Sequence, residues 1–291
     1  MTASDDIRLW VDGELVPATA GSVSALDHGS TVGDGAFEVA KIVDGAPFAL
    51  SRHHARLARS LAGLGLPAPD LDALDAGIAA VLGPEAGPTI GFGRLRYWVT
   101  AGLGPLGSDR LHLRPAHPTI VVAASPVDRP PESGALVTVP WTRNERSATV
   151  GLKTLSYADN VLALREATSQ GAIEAVFANT RGELCECTGS NIFVVPSSTD
   201  GVIVTPPADS GLLLGITREL TITWCREAGI EVREEALPLH GLQEVDEVFI
   251  TSTTKDVLPI HRVDDRELVV GPVSRRAREI FTERARQDLD P

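Results

Sequence analysis

The sequence predicts an α/β (α+β) protein of two domains, a smaller one over residues 1–124 and a larger one over 135–291, joined by a linker at 125–134. Three observations carry this expectation. A chain of 291 residues is long for a single hydrophobic core. Strand-like runs rich in β-branched residues alternate with helical periodicity on both sides of the midpoint. Between them Ser125-Pro126-Val127-Asp128-Arg129-Pro130-Pro131-Glu132-Ser133-Gly134 is rich in proline and charge and has no apolar period, the composition of a connector.

The elements follow in order. Arg8–Val11 and Glu14–Val16 flank Asp12-Gly13, a pair suited to the left-handed positions of a tight hairpin turn. Phe37–Val43 and Pro47–Leu50 flank a second such turn at Asp44-Gly45. Helical spacing then runs through Leu57, Leu61 and Leu64, with Ser51 as the expected N-cap, and a second helix covers Leu71–Leu82. Strands return at Arg94–Thr100 and Thr119–Ala124. Past the connector, strand Leu136–Val139 is followed by helix Ala158–Ser169 and strands Glu174–Ala178, Glu183–Cys187, Ile192–Val195 and Val202–Thr205. Helix Thr217–Glu227, ended by Gly229, precedes strands Glu231–Ala236 and Glu247–Thr251, a hairpin around Asp264-Asp265 and a last helix Ser274–Arg286.

Bulk properties exclude several functions. The formal net charge of −13, with no basic cluster, disfavours nucleic acid and anionic membranes. No apolar run approaches the ~20 residues that span a bilayer, and the first residues lack a basic segment followed by an apolar stretch, so no signal peptide is expected. The three cysteines, Cys185, Cys187 and Cys225, form neither a redox C-x-x-C nor a zinc spacing. Two apart on a strand, Cys185 and Cys187 face one side and are expected to pack as small apolar groups in a reducing cytoplasm. His53, His54, His240 and His261 have no metal-ligand spacing and read as structural or exposed, so no metal is expected.

Lysine usage is the sharpest chemical signal. The chain has three lysines, Lys41, Lys153 and Lys255, against 23 arginines. Lys153 lies in Gly151-Leu152-Lys153-Thr154-Leu155-Ser156-Tyr157, flanked by leucine. Where arginine is so strongly preferred, a lysine in an apolar setting points to chemistry that needs a primary amine. An amine loses its proton when desolvated and attacks a carbonyl, whereas a guanidinium stays charged.

Further segments stand in order around it. Asp27-His28-Gly29, Gly33-Asp34-Gly35-Ala36-Phe37-Glu38 and Arg56 lie upstream. Glu186, in Glu186-Cys187-Thr188-Gly189-Ser190-Asn191, lies 33 residues beyond Lys153. Gly215-Ile216-Thr217-Arg218 opens a helix, and Thr251-Ser252-Thr253-Thr254 ends a strand. From about Asp27 to Pro259 this series resembles the class IV aminotransferases, the pyridoxal 5'-phosphate enzymes of fold type IV. These include D-amino-acid transaminases, branched-chain aminotransferases, (R)-selective amine transaminases and aminodeoxychorismate lyases.

The resemblance implies roles. Lys153 would form the Schiff base with pyridoxal phosphate and later carry the proton between substrate and cofactor. Glu186 would pair with the pyridine nitrogen, and the Tyr157 hydroxyl would approach the ring oxygen. Arg56, Ile216, Thr217, Thr253 and Thr254 would hold the phosphate, the helix start contributing unpaired N–H groups. Phe37 would face substrate without the hydroxyl of the tyrosine often found there. Arg110 and His112 match a pair that holds the substrate carboxylate in D-amino-acid transaminases, a task suited to the planar guanidinium.

The resemblance further implies a homodimer acting on small amino and oxo acids. Its leading expectation is transfer of an amino group between a D-amino acid, or an (R)-amine, and a 2-oxo acid. A 4-amino-4-deoxychorismate lyase releasing pyruvate and 4-aminobenzoate, and a branched-chain L-amino-acid aminotransferase, remain alternatives.

Overall fold

The computed structural model describes residues 6–110 and 117–291, which form two compact units. The first comprises the chain up to Arg129, the segment Leu152–Ser156 and the last residues Leu289–Pro291; the second comprises Pro130–Gly151 and Tyr157–Asp288. One of the boundaries lies between Arg129 and Pro130, and Lys153 belongs to the first unit although sequence order sets it within 135–291.

In the first unit β1 (Arg8–Val11), β2 (Glu14–Val16), α1 (His28–Val32), β3 (Gly35–Val43), β4 (Ala46–Pro47), α2 (Leu50–Gly63), α3 (Leu71–Leu82), β5 (Phe92–Thr100) and β6 (Ile120–Pro126) follow in order. The six strands make one antiparallel sheet, β2-β1-β6-β5-β3-β4. Both hairpin turns take the left-handed backbone expected of Asp-Gly, with Asp12 at φ 44° and Asp44 at φ 48°. Helices α2 and α3 pack on the sheet, and Leu57, Leu61, Leu74 and Ile78 meet Trp10, Ile42, Leu95 and Val122 in the core. Asp70 caps α3 through the Ala73 N–H at 3.0 Å.

The expected cap of α2 is corrected by the structure. The N-cap is Ala49, in a left-handed conformation at φ 55°. The Ser51 N–H and hydroxyl instead donate to Asp290 Oδ1, each at 3.0 Å, while the Ala49 N–H reaches Leu289 O. The C-terminal residues thus satisfy donors at the helix start that a local side chain would otherwise serve.

The second unit holds β7 (Gly134–Arg143), α4 (Ala158–Ser169), β8 (Glu174–Asn179), β9 (Leu184–Cys187), β10 (Asn191–Pro196), β11 (Ile203–Thr205), α5 (Ile216–Glu227), β12 (Val232–Glu234), β13 (Val245–Ser252), β14 (Asp256–Val263), β15 (Arg266–Glu267) and α6 (Pro272–Gln287). Its mixed sheet runs β12-β11-β10-β13-β14-β7-β8-β9, with β15 beside β14. Pairings β7–β8, β7–β14 and β11–β12 are parallel. Leu136 and Val176 belong to one apolar cluster and Val137 and Phe177 to another. Burial of successive residues on both faces explains why these strands read as continuous apolar runs. All three cysteines are free and buried, as expected for Cys185 and Cys187, and burial pushes the Cys185 thiol up to about 12 and that of Cys225 to about 11. No helix among the described residues is long and apolar enough to cross a membrane.

Candidate functional site

In the first unit the segment carrying Lys153 is laid against β3 by backbone bonds. The Phe37 N–H donates to Lys153 O at 3.0 Å and the Leu155 N–H to Gly35 O at 2.9 Å. Ser60 Oγ, from α2, accepts the Lys153 N–H at 3.1 Å. The glycines of Gly33-Asp34-Gly35 make this approach possible. A Cβ at Gly35 would lie 2.6 Å from Val99 O and 2.8 Å from Leu155 Cδ1. Gly33 combines φ 71° with a Cβ position 2.5 Å from Ser156 Oγ. Lys153 Nζ ends 4.3 Å from the centroid of the buried Phe37 ring, which also faces Arg96 Cζ at 3.9 Å.

Arg56, His53 and Glu38 form a buried cluster in the same unit. The Arg56 Nε and Nη2 donate to the two Glu38 oxygens at 2.7 and 2.8 Å, and His53 Nδ1 lies 2.7 Å from Glu38 Oε2. The sequence alone reads His53 as structural or exposed and assigns it no partner. The signal for one is nonetheless present: His53 and Arg56 sit three apart on the same stripe of α2 as Leu57 and Leu61, and polar groups on an apolar stripe need partners.

Burial alone would raise the Glu38 carboxyl, but Arg56 foremost and then His53 outweigh it and hold it far below its ordinary value. Burial lowers His53 against the pull of Glu38, helped by the nearby Arg56 and Lys153 charges, so the folded chain keeps it neutral with Nδ1–H donating. Unfolded histidine titrates near 6.5, so as pH falls below that value the unfolded chain binds a proton that the folded chain refuses. Stability is lost in that direction, by up to about 1.4 kcal/mol per pH unit. The Glu38 contribution fades only below the unfolded carboxylate value of 4.5, in a separate window. His53→Asn retains a donor near Nδ1 without the titration. Melting curves at about pH 7 and about pH 5.5 should therefore show a smaller acid shift in the variant than in the parent; equal shifts would refute the assignment.

Arg110 also lies in the first unit. Its Nε donates to Asp34 Oδ2 at 2.6 Å, its Nη2 to Asp34 Oδ1, and its Nη1 to Leu64 O at 2.7 Å. Asp34 in turn faces His28 Nδ1 at 3.4 Å, and His28 Nε2 lies 3.1 Å from Pro105 O. In this structure Arg110 anchors its loop through Asp34. His112 lies outside the described residues.

In the second unit Glu186 lies on β9. Its Oε2 accepts the Leu213 N–H at 2.9 Å, and its Oε1 is 3.2 Å from Arg143 Nε. Arg143, unremarked in the sequence, stacks over Phe177 with Cζ 4.3 Å from the ring centroid. Asn191 Nδ2 donates to Leu213 O at 2.9 Å, so Glu186 and Asn191 grip both sides of one residue in the loop entering α5. Gly215 is needed there, because a Cβ would lie 2.1 Å from Asn191 Oδ1.

Helix α5 starts at Ile216 with no side-chain cap, and Thr217 is buried in its first turn. Strand pairing sets Thr251 opposite Asn191. This brings the end of β13, and with it the Thr253–Thr254 turn, to the same end of the sheet as the start of α5. Thr251 Oγ1 and Ser252 Oγ are buried without a hydrogen-bond partner among the described residues. Helix N–H groups without a side-chain cap and unsatisfied hydroxyls, at the same end of the sheet, are donors of the kind that fits an oxyanion such as a phosphate. Tyr157 is half-buried at the N-cap position of α4. No group of three or more His, Cys, Asp or Glu among the described residues is arranged to hold a metal ion.

The sequence profile of the amino-transferase class IV family matches residues 35–263. The chain belongs to the class IV aminotransferases. A Methanocaldococcus jannaschii protein assigned provisionally as a branched-chain-amino-acid aminotransferase is 34% identical over 286 residues, covering 94% of this chain and 95% of that protein. The D-alanine aminotransferase of Listeria monocytogenes serotype 4b is 31% identical over 293 residues, covering 95% and 96%. The solved 4-amino-4-deoxychorismate lyase of Pseudomonas aeruginosa superposes with a TM-score of 0.81 at 27% identity, covering 97% of this chain and all of that one. This class IV aminotransferase is accordingly an enzyme of mixed α/β architecture, in a family that uses pyridoxal phosphate.

Proposed function

We propose that the enzyme is a pyridoxal-phosphate-dependent transaminase that exchanges an amino group between a D-amino acid, or an (R)-amine, and a 2-oxo acid. The observation that carries the transaminase reading is Lys153: an amine fixed at its backbone by Phe37 and Ser60 and placed against an aromatic ring. The D-alanine aminotransferases among the relatives support the stereochemical part.

Bound pyridoxal phosphate would supply an electron sink for charge developing at the substrate Cα. Lys153 Nζ would hold the cofactor covalently between turnovers and move the proton at Cα during them. The Glu186 carboxylate, steadied by the Leu213 N–H and Arg143, would hold a proton on the pyridine nitrogen. Ile216 and Thr217 at the start of α5, with Thr253 and Thr254, would bind the phosphate, and Arg56 would add a charge-assisted contact. Tyr157 would donate its hydroxyl to the ring oxygen, and the Phe37 ring would exclude water beside Nζ.

Borohydride reduction in the presence of pyridoxal phosphate, followed by digestion and mass spectrometry, should place the phosphopyridoxyl mass on Lys153; its appearance elsewhere refutes the reading. D-alanine with 2-oxoglutarate should then be consumed faster than L-leucine with 2-oxoglutarate. The Methanocaldococcus relative favours a branched-chain L-amino acid as the second reading, and turnover confined to L-leucine would establish it. Pyruvate and 4-aminobenzoate formed from aminodeoxychorismate without an acceptor acid would identify a lyase instead.

A further inference from the structure

Arg56 does not reach its place unaided. Glu38 is fully buried at 0% exposure on β3, Arg56 is 6% exposed and His53 2%. The carboxylate takes the Nε–Nη2 edge of the guanidinium in a two-pronged pair, and His53 donates to the same Oε2 from the preceding turn of α2. Glu38 Oε1 thus accepts from Arg56 Nε, while Oε2 accepts from Arg56 Nη2, His53 and, at 3.3 Å, the Val39 N–H. Its strand neighbour Phe37 carries the backbone N–H that binds Lys153 O. A planar guanidinium gripped along one edge has its plane and its opposite edge fixed in direction.

We propose that Glu38, steadied by His53, is a positioning residue that aims Arg56 at the phosphate of the cofactor. The inference rests on the reading that Arg56 holds that phosphate. Positioning and simple electrostatics predict opposite signs for one substitution. Glu38→Gln removes a negative charge 2.7 Å from Arg56, which on charge alone would tighten binding of an anion. Loss of the two-pronged grip releases Arg56 and weakens it.

The test is titration of the apoprotein, followed by visible absorbance, with pyridoxal phosphate and separately with pyridoxal, which lacks the phosphate. Glu38→Gln should raise the Kd for pyridoxal phosphate about 10- to 100-fold, the range for losing charge-assisted hydrogen bonds, and leave the Kd for pyridoxal within about twofold. Glu38→Asp keeps the charge but draws the carboxylate back, and should weaken pyridoxal phosphate selectively as well; it carries the test if the glutamine variant does not fold. Arg56→Met separates the two claims. If it weakens pyridoxal phosphate and the Glu38 variants do not, or if they tighten it, the positioning role is overturned and the phosphate reading stands. If Arg56→Met leaves the pyridoxal phosphate Kd unchanged, the phosphate reading itself falls. Equal weakening of both ligands by the Glu38 variants would assign Glu38 a purely structural role and overturn the proposal.

Discussion

Lys153→Ala is expected to leave a folded protein whose amino transfer falls at least about a thousandfold, the combined scale of losing a covalent nucleophile and a positioned proton carrier. The fold should survive because main-chain contacts that the substitution leaves in place hold this segment. They are the backbone bonds from Phe37 and to Gly35, and the Ser60 hydroxyl on the Lys153 N–H. Truncation forfeits the interaction between Nζ and the Phe37 ring at 4.3 Å, a contact of about 0.5–2 kcal/mol. Lys153→Arg sharpens the result. It keeps a cation beside Phe37, but a guanidinium cannot shed its proton to act as base or nucleophile. Both variants should therefore be inactive while melting within a few degrees of the parent. Coupled assay of oxo-acid formation alongside melting curves checks this, and turnover within tenfold of wild type in either variant would remove Lys153 from the chemistry.

Local elements are legible in the sequence where local rules decide them. The helices Leu71–Leu82 and Ala158–Ser169 fall where periodicity sets them, and the two Asp-Gly turns sit where left-handed backbone is required. What escapes depends on distant chain. The α2 cap comes from residues 239 positions away. Strand Asp256–Val263 gives little sign of itself because Pro259 lies within it; on its β7 side pairing begins only at Ile260, so the missing N–H is not needed there. Helix His28–Val32 is too short to show a period. Among the candidate site residues, Lys153 stands out by residue type, and Glu186 only through the family resemblance. Arg143 and the Glu38 grip on Arg56 do not, because both arise from packing; the apolar stripe of α2 shows that His53 and Arg56 need partners but not which. Scarcity of lysine, which draws notice to Lys153, applies equally to the other two. Lys41 is buried with Nζ 4.8 Å from the Phe48 ring, and Lys255 pairs with a buried carboxylate of the second unit.

Removing that carboxylate, Glu174, should destabilise the second unit severely. It is 2% exposed on β8 and accepts from Lys255 Nζ at 2.6 Å, the Gly189 N–H at 2.7 Å, Ser190 Oγ at 2.8 Å and Thr188 Oγ1. Burial alone would raise its carboxyl, but the Lys255 charge foremost, then the hydrogen bonds, reverse the direction and keep it ionised. Glu174→Ala leaves the ammonium and three neutral donors without their acceptor, and because Lys255 is 26% exposed the cost falls toward the lower end of the about 3–5 kcal/mol for breaking a buried pair. Glu174→Gln preserves volume and one acceptor and should cost less, about 1–3 kcal/mol. Lys255→Met alone leaves Glu174 buried with only neutral donors. The double variant Glu174→Gln/Lys255→Met removes both charges together and should be less destabilised than the single effects add to, giving a coupling of about 1–3 kcal/mol. Urea unfolding of the parent, the two single variants and the double variant measures it, and strict additivity would show that the pair contributes no net attraction. The consequence reaches the site. Thr188, Gly189 and Ser190 lie just beyond Glu186, and Lys255 follows Thr253 and Thr254, so one buried carboxylate ties together two turns next to the residues proposed above to meet the ring nitrogen and the phosphate. Loosening it should weaken cofactor retention in the glutamine variant even at temperatures where the protein stays folded, because both turns lose the same anchor.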